Sequence, residues 1–164
     1  MMKACVVYDS FFGNTAKMAE IIGANLIERY EVQIISVNQL KPVVLKDLQL
    51  LVVGSPTRGF EPTKPIKNVL QNIQAVDFPH LQIVCFDTRM DIKKINNKIL
   101  NFFVKFRGYA LDSMEKIVKH NGFSIIHPGM GFFVDESEGP LGEGEEKKAG
   151  QWAHKIMRIA IKVK

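Results

Sequence analysis

Lys3-Ala4-Cys5-Val6-Val7-Tyr8 is an apolar run that leads into Ser10-Phe11-Phe12-Gly13-Asn14-Thr15, and a helical pattern opens directly after it at Ala16. The run reads as a buried strand. A strand that turns through glycine, asparagine and hydroxyl residues into a helix builds an anion site. The first N–H groups of a helix have no partner within it, and they carry the positive end of the helix dipole. Ser10, Asn14 and Thr15 add side-chain donors at that point. The spacing argues against two common nucleotide motifs. A dinucleotide turn needs G-x-G-x-x-G, and only Gly13 is present. A P-loop needs Gly-Lys-Ser/Thr, and Gly13 is followed by Asn14-Thr15. A phosphate monoester held by backbone and hydroxyl groups suits the turn, with an ordinary strand-to-helix connection as the alternative.

Outward from this turn, strand and helix patterns alternate. Strands are expected at 3–8, 32–37, 48–54 and 81–86, with short pieces at 123–126 and 131–134. Helices are expected at 14–30, after Thr63 and at 143–163. The last buries Trp152, Ile156 and Ile159, and helical periodicity also runs through 91–121. The run at 48–54 is almost wholly apolar, as in the centre of a parallel sheet, whereas 32–37 alternates as an edge does. Alternation of this kind predicts an α/β doubly wound parallel sheet. In such sheets a ligand sits beyond the carboxyl ends of the strands. Two further loops therefore matter. One is Gly54-Ser55-Pro56-Thr57-Arg58-Gly59-Phe60, fixed by proline and glycine and carrying donors at Thr57 and Arg58. The other is Phe86-Asp87-Thr88-Arg89, where short polar side chains follow a buried strand.

With these three loops the chain resembles the flavodoxin family. Its phosphate loop reads [ST]-x-[ST]-G-N-T, and Ser10 to Thr15 match except that Phe12 stands where most members carry a hydroxyl residue. The Ser55 to Phe60 loop is similar to the G-[ST]-P-T-R loop of FMN proteins and quinone reductases. Phe132-Phe133-Val134, Gly139 to Glu145 and Trp152-Ala153 look like further family signatures. The resemblance implies a three-layer flavodoxin-like fold with a five-stranded parallel sheet in the order 2-1-3-4-5, spanning 1–164 as one domain. It implies FMN as cofactor. Ser10, Asn14 and Thr15 would hold the phosphate, with Phe12 and Gly13 in the same cofactor-binding loop. Ser55, Pro56, Thr57, Arg58, Gly59, Phe60, Asp87, Thr88 and Arg89 would lie along the ring, with Gly59 as the residue free to turn beside it. The implied function is electron transfer between protein redox partners, which are not identified. An FMN-dependent NAD(P)H–quinone reductase and a flavin-free domain of the same fold are the alternatives. Arg58 and Arg89 would bring positive charge to the ring, and so favour a less negative potential than in acidic flavodoxins.

The charge of the chain, +5 over 164 residues, is unevenly placed. Lys93, Lys94, Lys98, Lys105 and Arg107 face only Asp91 within 91–107, a basic helical insertion after the third loop. Phe102, Phe103 and Phe106 share one side of it. An extra helix packed on the body, a flavin cover, an acidic partner's dock and a homodimer contact are the roles open to it. The insertion carries no nucleic-acid motif. The run from Asp135 to Glu146 holds six carboxylates and no base, and its last glutamates suit the positive end of the final helix. Cys5 and Cys85 fall in strands separated by another strand, about 10 Å apart and too far for a disulfide. His80, His120, His127 and His154 lack metal spacing and read as surface or turn residues. No apolar run approaches the roughly 20 residues of a membrane span, and the expected location is cytoplasmic.

Overall fold

Parallel strands covered by helices on both faces are apolar where both faces are covered, and 4–7, 50–53 and 83–86 here satisfy that condition. The computed structural model describes residues 1–159. Its strands are β1 (Met2–Tyr8), β2 (Tyr30–Ser36), β3 (Leu50–Pro56), β4 (Gln82–Met90) and β5 (Met130–Val134). They form one parallel sheet in the order β2-β1-β3-β4-β5. Around it lie α1 (Asn14–Leu26), α2 (Lys64–Gln71), α3 (Ile92–Ile95), α4 (Lys98–Arg107), α5 (Ala110–His120) and α6 (Glu145–Ile159).

The two-residue period of the strands divides the core. Ala4, Val6, Leu50, Val52, Val84 and Phe86 face α1 and α6. Cys5, Val7, Leu51, Val53, Ile83 and Cys85 face α2 and α5. On the first side Phe86, Phe132 and Trp152 meet edge to face, and the indole N–H of Trp152 donates to the Pro128 carbonyl at 3.2 Å. The cysteines lie in β1 and β4 with β3 between them. Burial pushes the Cys5 thiol up to about 12 and raises that of Cys85 as well, so neither is a ready nucleophile.

Several expected elements are corrected. The first helix stops at Leu26 rather than running to 30, because Tyr30 opens β2 and buries its ring in the α1–α6 core. The periodic stretch 91–121 is three helices. Asn96 leaves α3 at φ 49°, the Asn97 side chain accepts from the Ile99 and Leu100 N–H groups, and Gly108 ends α4. Residues 123–126 form no strand. The edge of β4 from Phe86 onward is taken by β5, which begins at Met130, while Phe123 and Ile125 pack beneath the sheet. The final helix begins at Glu145, Ile159 is only half-buried, and its expected continuation beyond 159 lies outside the described residues. Thr63 starts α2 without capping it through its hydroxyl, which is buried and unpartnered among the described residues.

The largest correction concerns β4, which does not end at Phe86. Asp87, Thr88 and Arg89 continue the strand, paired with Gly131, Phe132 and Phe133 of β5. Asp87 is fully buried. Arg89 grips it at two points, Nε to Oδ1 at 2.6 Å and an Nη2 to Oδ2 at 2.8 Å. The same Oδ2 accepts from the Leu111 N–H at 2.8 Å and from the Thr57 hydroxyl at 3.2 Å. One carboxylate thus joins β4, the end of β3 and the first turn of α5. Arg89 lies against the face of Tyr109, 3.8 Å from the ring centre, and crosses Gly131, where any Cβ would meet the guanidinium at 2.4 Å.

Burial pushes the Asp87 carboxyl above its usual range, while the Arg89 charge and the hydrogen bonds from Arg89, Leu111 and Thr57 pull it back. A group raised in the folded state contributes stability that is full below its unfolded value and is lost as pH rises through its folded value. Arg89→Met removes the counter-charge and raises Asp87 further. The variant is expected to lose about 3 kcal/mol at pH 7, as other broken buried pairs do. Its deficit against the parent should shrink as pH falls and Asp87 takes a proton. Urea unfolding of both proteins at pH 7 and pH 5 checks this, and an equal deficit at both pH values contradicts it.

Candidate functional site

The sheet reverses direction of growth between β1 and β3, and the loops leaving these two strands diverge there to form a crevice. The crevice is lined by Ser10, Phe11, Phe12, Asn14 and Thr15 from the first loop and α1, and by Pro56, Thr57 and Arg58 after β3. Thr88, Arg89 and Met90 of β4, with Val134 and Ser137, close the far side.

The first loop turns into α1 through Gly13, which holds φ 88° and has nothing within 4 Å of a Cβ position. The left-handed turn suits glycine for its backbone alone. The Ser10 hydroxyl accepts from the Gly13 N–H at 3.1 Å, and the Gly13 carbonyl takes the first helical bond from Lys17. Among the described residues the N–H groups of Phe11, Phe12, Asn14, Thr15 and Ala16 have no acceptor, and no side chain caps α1. This is an open row of donors at the positive end of a 13-residue helix. Asn14 itself is turned aside, its amide donating to the Glu138 carbonyl at 3.0 Å. Thr15 is buried and shares a 2.7 Å hydroxyl contact with Thr88, which ties α1 to β4.

In the second loop the expected residues part company. Ser55 is buried outside the crevice, where its hydroxyl accepts from the Thr63 N–H at 3.0 Å and so fixes the start of α2. Thr57 lines the crevice, but its hydroxyl donates to Asp87 and accepts from the Ala110 N–H at 3.1 Å. Arg58 and Glu61 exchange both main-chain hydrogen bonds around Gly59 and Phe60, whose φ values are 55° and 70°. That is a two-residue turn with both central residues left-handed, unusual for phenylalanine. Phe60 turns toward α4 and stacks on Phe103, ring centres 6.2 Å apart. Arg58 reaches the other way, 4.9 Å from the centre of the Phe11 ring and 6.0 Å from that of Phe12.

The third segment is strand rather than loop. Its Asp87 faces the buried network, and Arg89 has its charge matched there. Of the two arginines expected to bear on a ligand ring, only Arg58 has no carboxylate partner among the described residues. Gly13, Ser55, Gly59, Phe60 and Asp87 do not line the crevice, whereas Phe11, Met90, Val134 and Ser137 do without having been singled out. The sheet order carried a signal for the last two. An edge strand β5 beside β4 brings its carboxyl end to the same crevice.

The crevice holds about 100 Å³, below the few hundred that enclose a small-molecule ligand. Arg58, whose guanidinium lies over Phe11 and Phe12, is one of its lining residues. A wider hollow of about 590 Å³ lies at the opposite end of the sheet, near Met2, Gln49, His80 and Phe123. It has neither a charged lining residue nor a helix start. The donor chemistry therefore places the candidate site in the smaller crevice.

No protein-family model and no curated protein matches this sequence. Its fold does match solved structures. A flavodoxin from the domain Archaea is 21% identical, with 97% of this chain and 99% of that one covered at a TM-score of 0.74. Oxidised flavodoxin 1 from Bacillus cereus is 15% identical, with 95% and 97% covered at 0.72. Rubredoxin oxygen:oxidoreductase from Desulfovibrio gigas matches over 36% of its length and 96% of this chain, at 18% identity and a TM-score of 0.68. At these identities the likeness is one of architecture: five parallel strands in the order 2-1-3-4-5 between two helical layers, the flavodoxin-like fold.

Proposed function

We propose that this chain binds FMN in the crevice between β1 and β3 and carries electrons between redox partners. The observation that carries the reading is the uncapped start of α1. Its free N–H groups lie at the carboxyl end of β1, where parallel α/β sheets take their ligands. Flavodoxins of the same architecture support it. Bound FMN supplies an isoalloxazine ring that takes up and releases electrons. The protein's part is to hold it, shield it and set its surroundings.

The N–H groups of Phe11, Phe12, Asn14, Thr15 and Ala16 are the donors for the phosphate, with Ser10 and Thr15 as the hydroxyl residues beside it. Pro56, Thr57 and Arg58 lie on one side of the ring, and Thr88, Arg89 and Met90 on the other. Arg58 leaves Phe11 and Phe12 to admit the ring. Since Arg89 is matched by Asp87, Arg58 is the residue left to bring positive charge to the cofactor. The chain acts as one unit over 1–164, with 91–107 as a basic helical addition, in the cytoplasm. A second reading, a flavin-free domain, draws on the same stack of Arg58 over Phe11 and Phe12, which narrows the crevice.

Titration of the purified protein into FMN and into riboflavin, followed by flavin fluorescence, tests the reading. FMN is expected to bind at least ten times more tightly, because a charge-assisted phosphate contact contributes about 1.5–3 kcal/mol. Equal binding contradicts the assignment of α1, and no uptake of either favours the flavin-free reading.

Phe12→Ser restores a hydroxyl at the phosphate loop and removes one ring beneath Arg58. Its FMN dissociation constant is expected to fall about tenfold, the worth of one added hydrogen bond near the upper end of the usual range. An unchanged or weaker constant contradicts the placement of the phosphate beside residue 12. Steady NADPH consumption with a quinone and no added reductase would move the assignment from carrier to quinone reductase.

A further inference from the structure

We propose that the outer face of α4 docks this protein on an anionic lipid bilayer. Every residue of α3 and α4 keeps some exposure, so these helices add little to the core. Ile99, Phe102, Phe103 and Phe106 follow the i, i+3, i+4, i+7 repeat that normally faces a core. Here the stripe faces solvent, with Ile99 68%, Phe102 62%, Phe103 44% and Phe106 83% exposed. Leu100, Asn101 and Val104, on the side of the helix away from the ridge, are the residues of α4 partly covered. Phe102 packs against both Phe103 and Phe106 at 6.1 Å, so the three rings form one ridge.

The charges select the occupant. Lys98 and Lys105 run along one edge of the ridge, seven residues apart, and Arg107 lies beyond Phe103 on the other edge. Lys93 and Lys94 add two exposed cations on the preceding helix, α3. An apolar centre between basic borders is the pattern of a helix lying in the headgroup layer, its rings in the acyl boundary and its cations among the phosphates. A symmetric contact with a second copy would set these cations against their own counterparts. An acidic protein would have to offer a groove for a convex ridge of three rings. A bilayer takes such a ridge without a preformed groove.

Co-sedimentation with phosphatidylcholine vesicles, and with vesicles containing one-third phosphatidylglycerol, tests the proposal on the full chain without added flavin. The result therefore does not depend on the FMN reading. Binding is expected to the anionic vesicles only and to weaken as salt is raised. Lys105→Gln should reduce the partition coefficient about fivefold, and Phe106→Ser about tenfold. Thermal melting should be unchanged in both, since neither side chain is buried. Three results overturn the proposal. One is no sedimentation with either vesicle. Another is binding that salt abolishes but Phe102→Ser with Phe106→Ser leaves intact, which is charge adsorption alone. The third is a stable dimer by light scattering that Phe106→Ser dissociates, which makes a second copy the occupant.

Discussion

A carboxylate without solvent contact holds the crevice end of this molecule together. Asp87 ends four polar contacts that otherwise have no common point: two from Arg89, one from Thr57 and one from the first turn of α5. Burying it is unfavourable unless those partners are present and well placed. The constraint therefore works on all of them at once. β4 has to run on past Phe86 to bring Arg89 back over Asp87. β5 has to supply glycine at 131 so that the guanidinium can cross. α5 has to begin at Ala110, so that its N-terminus points at the carboxylate. The walls of the crevice formed by Thr57, Thr88 and Arg89 are fixed by this buried pair rather than by loop packing.

The crevice inherits a division of labour from that arrangement. Its far wall is strand, locked by the Asp87 network and by the hydroxyl contact between Thr15 and Thr88. Its near side is the Arg58–Glu61 turn and the first loop, which carry exposed aromatic and cationic side chains. The helix start between them presents main-chain donors that no group among the described residues takes up. A ligand entering there would meet main-chain donors, one wall held by buried contacts and one lined by exposed side chains.

The sheet was legible in the sequence because its signal is long and redundant. Three apolar runs, one alternating run, two strong helical stripes and the turn at Gly13 all point to the same parallel sheet, and β5 appeared in part. The local identity of Ser55, Asp87 and Arg89 was not legible. Each is a polar residue beside an apolar run, which reads equally as a ligand contact or as a buried partner. The difference depends on what another element brings opposite: Thr63 for Ser55, α5 for Asp87, Gly131 and Tyr109 for Arg89. Residues 123–126 misled for a related reason. They are apolar enough for a strand, but the only open edge of β4 was taken by a segment seven residues later. Phe60 read as a ring contact because nothing in the local sequence shows that Phe103 stands behind it.

That contact between Phe60 and Phe103 joins two regions far apart in sequence. Phe60 occupies the turn whose preceding residue is Arg58, and Phe103 belongs to the ridge of α4. The turn is closed by two main-chain hydrogen bonds, so it shifts as a body more readily than it deforms. A displacement of α4 that kept these rings stacked would carry the turn, and with it the main chain of Arg58. Linkage makes such an effect reciprocal: if occupancy of the crevice changes the affinity of the ridge by some factor, occupancy of the ridge changes that of the crevice by the same factor. One pair of stacked rings is thus a contact through which the inner cleft and the outer surface would be linked.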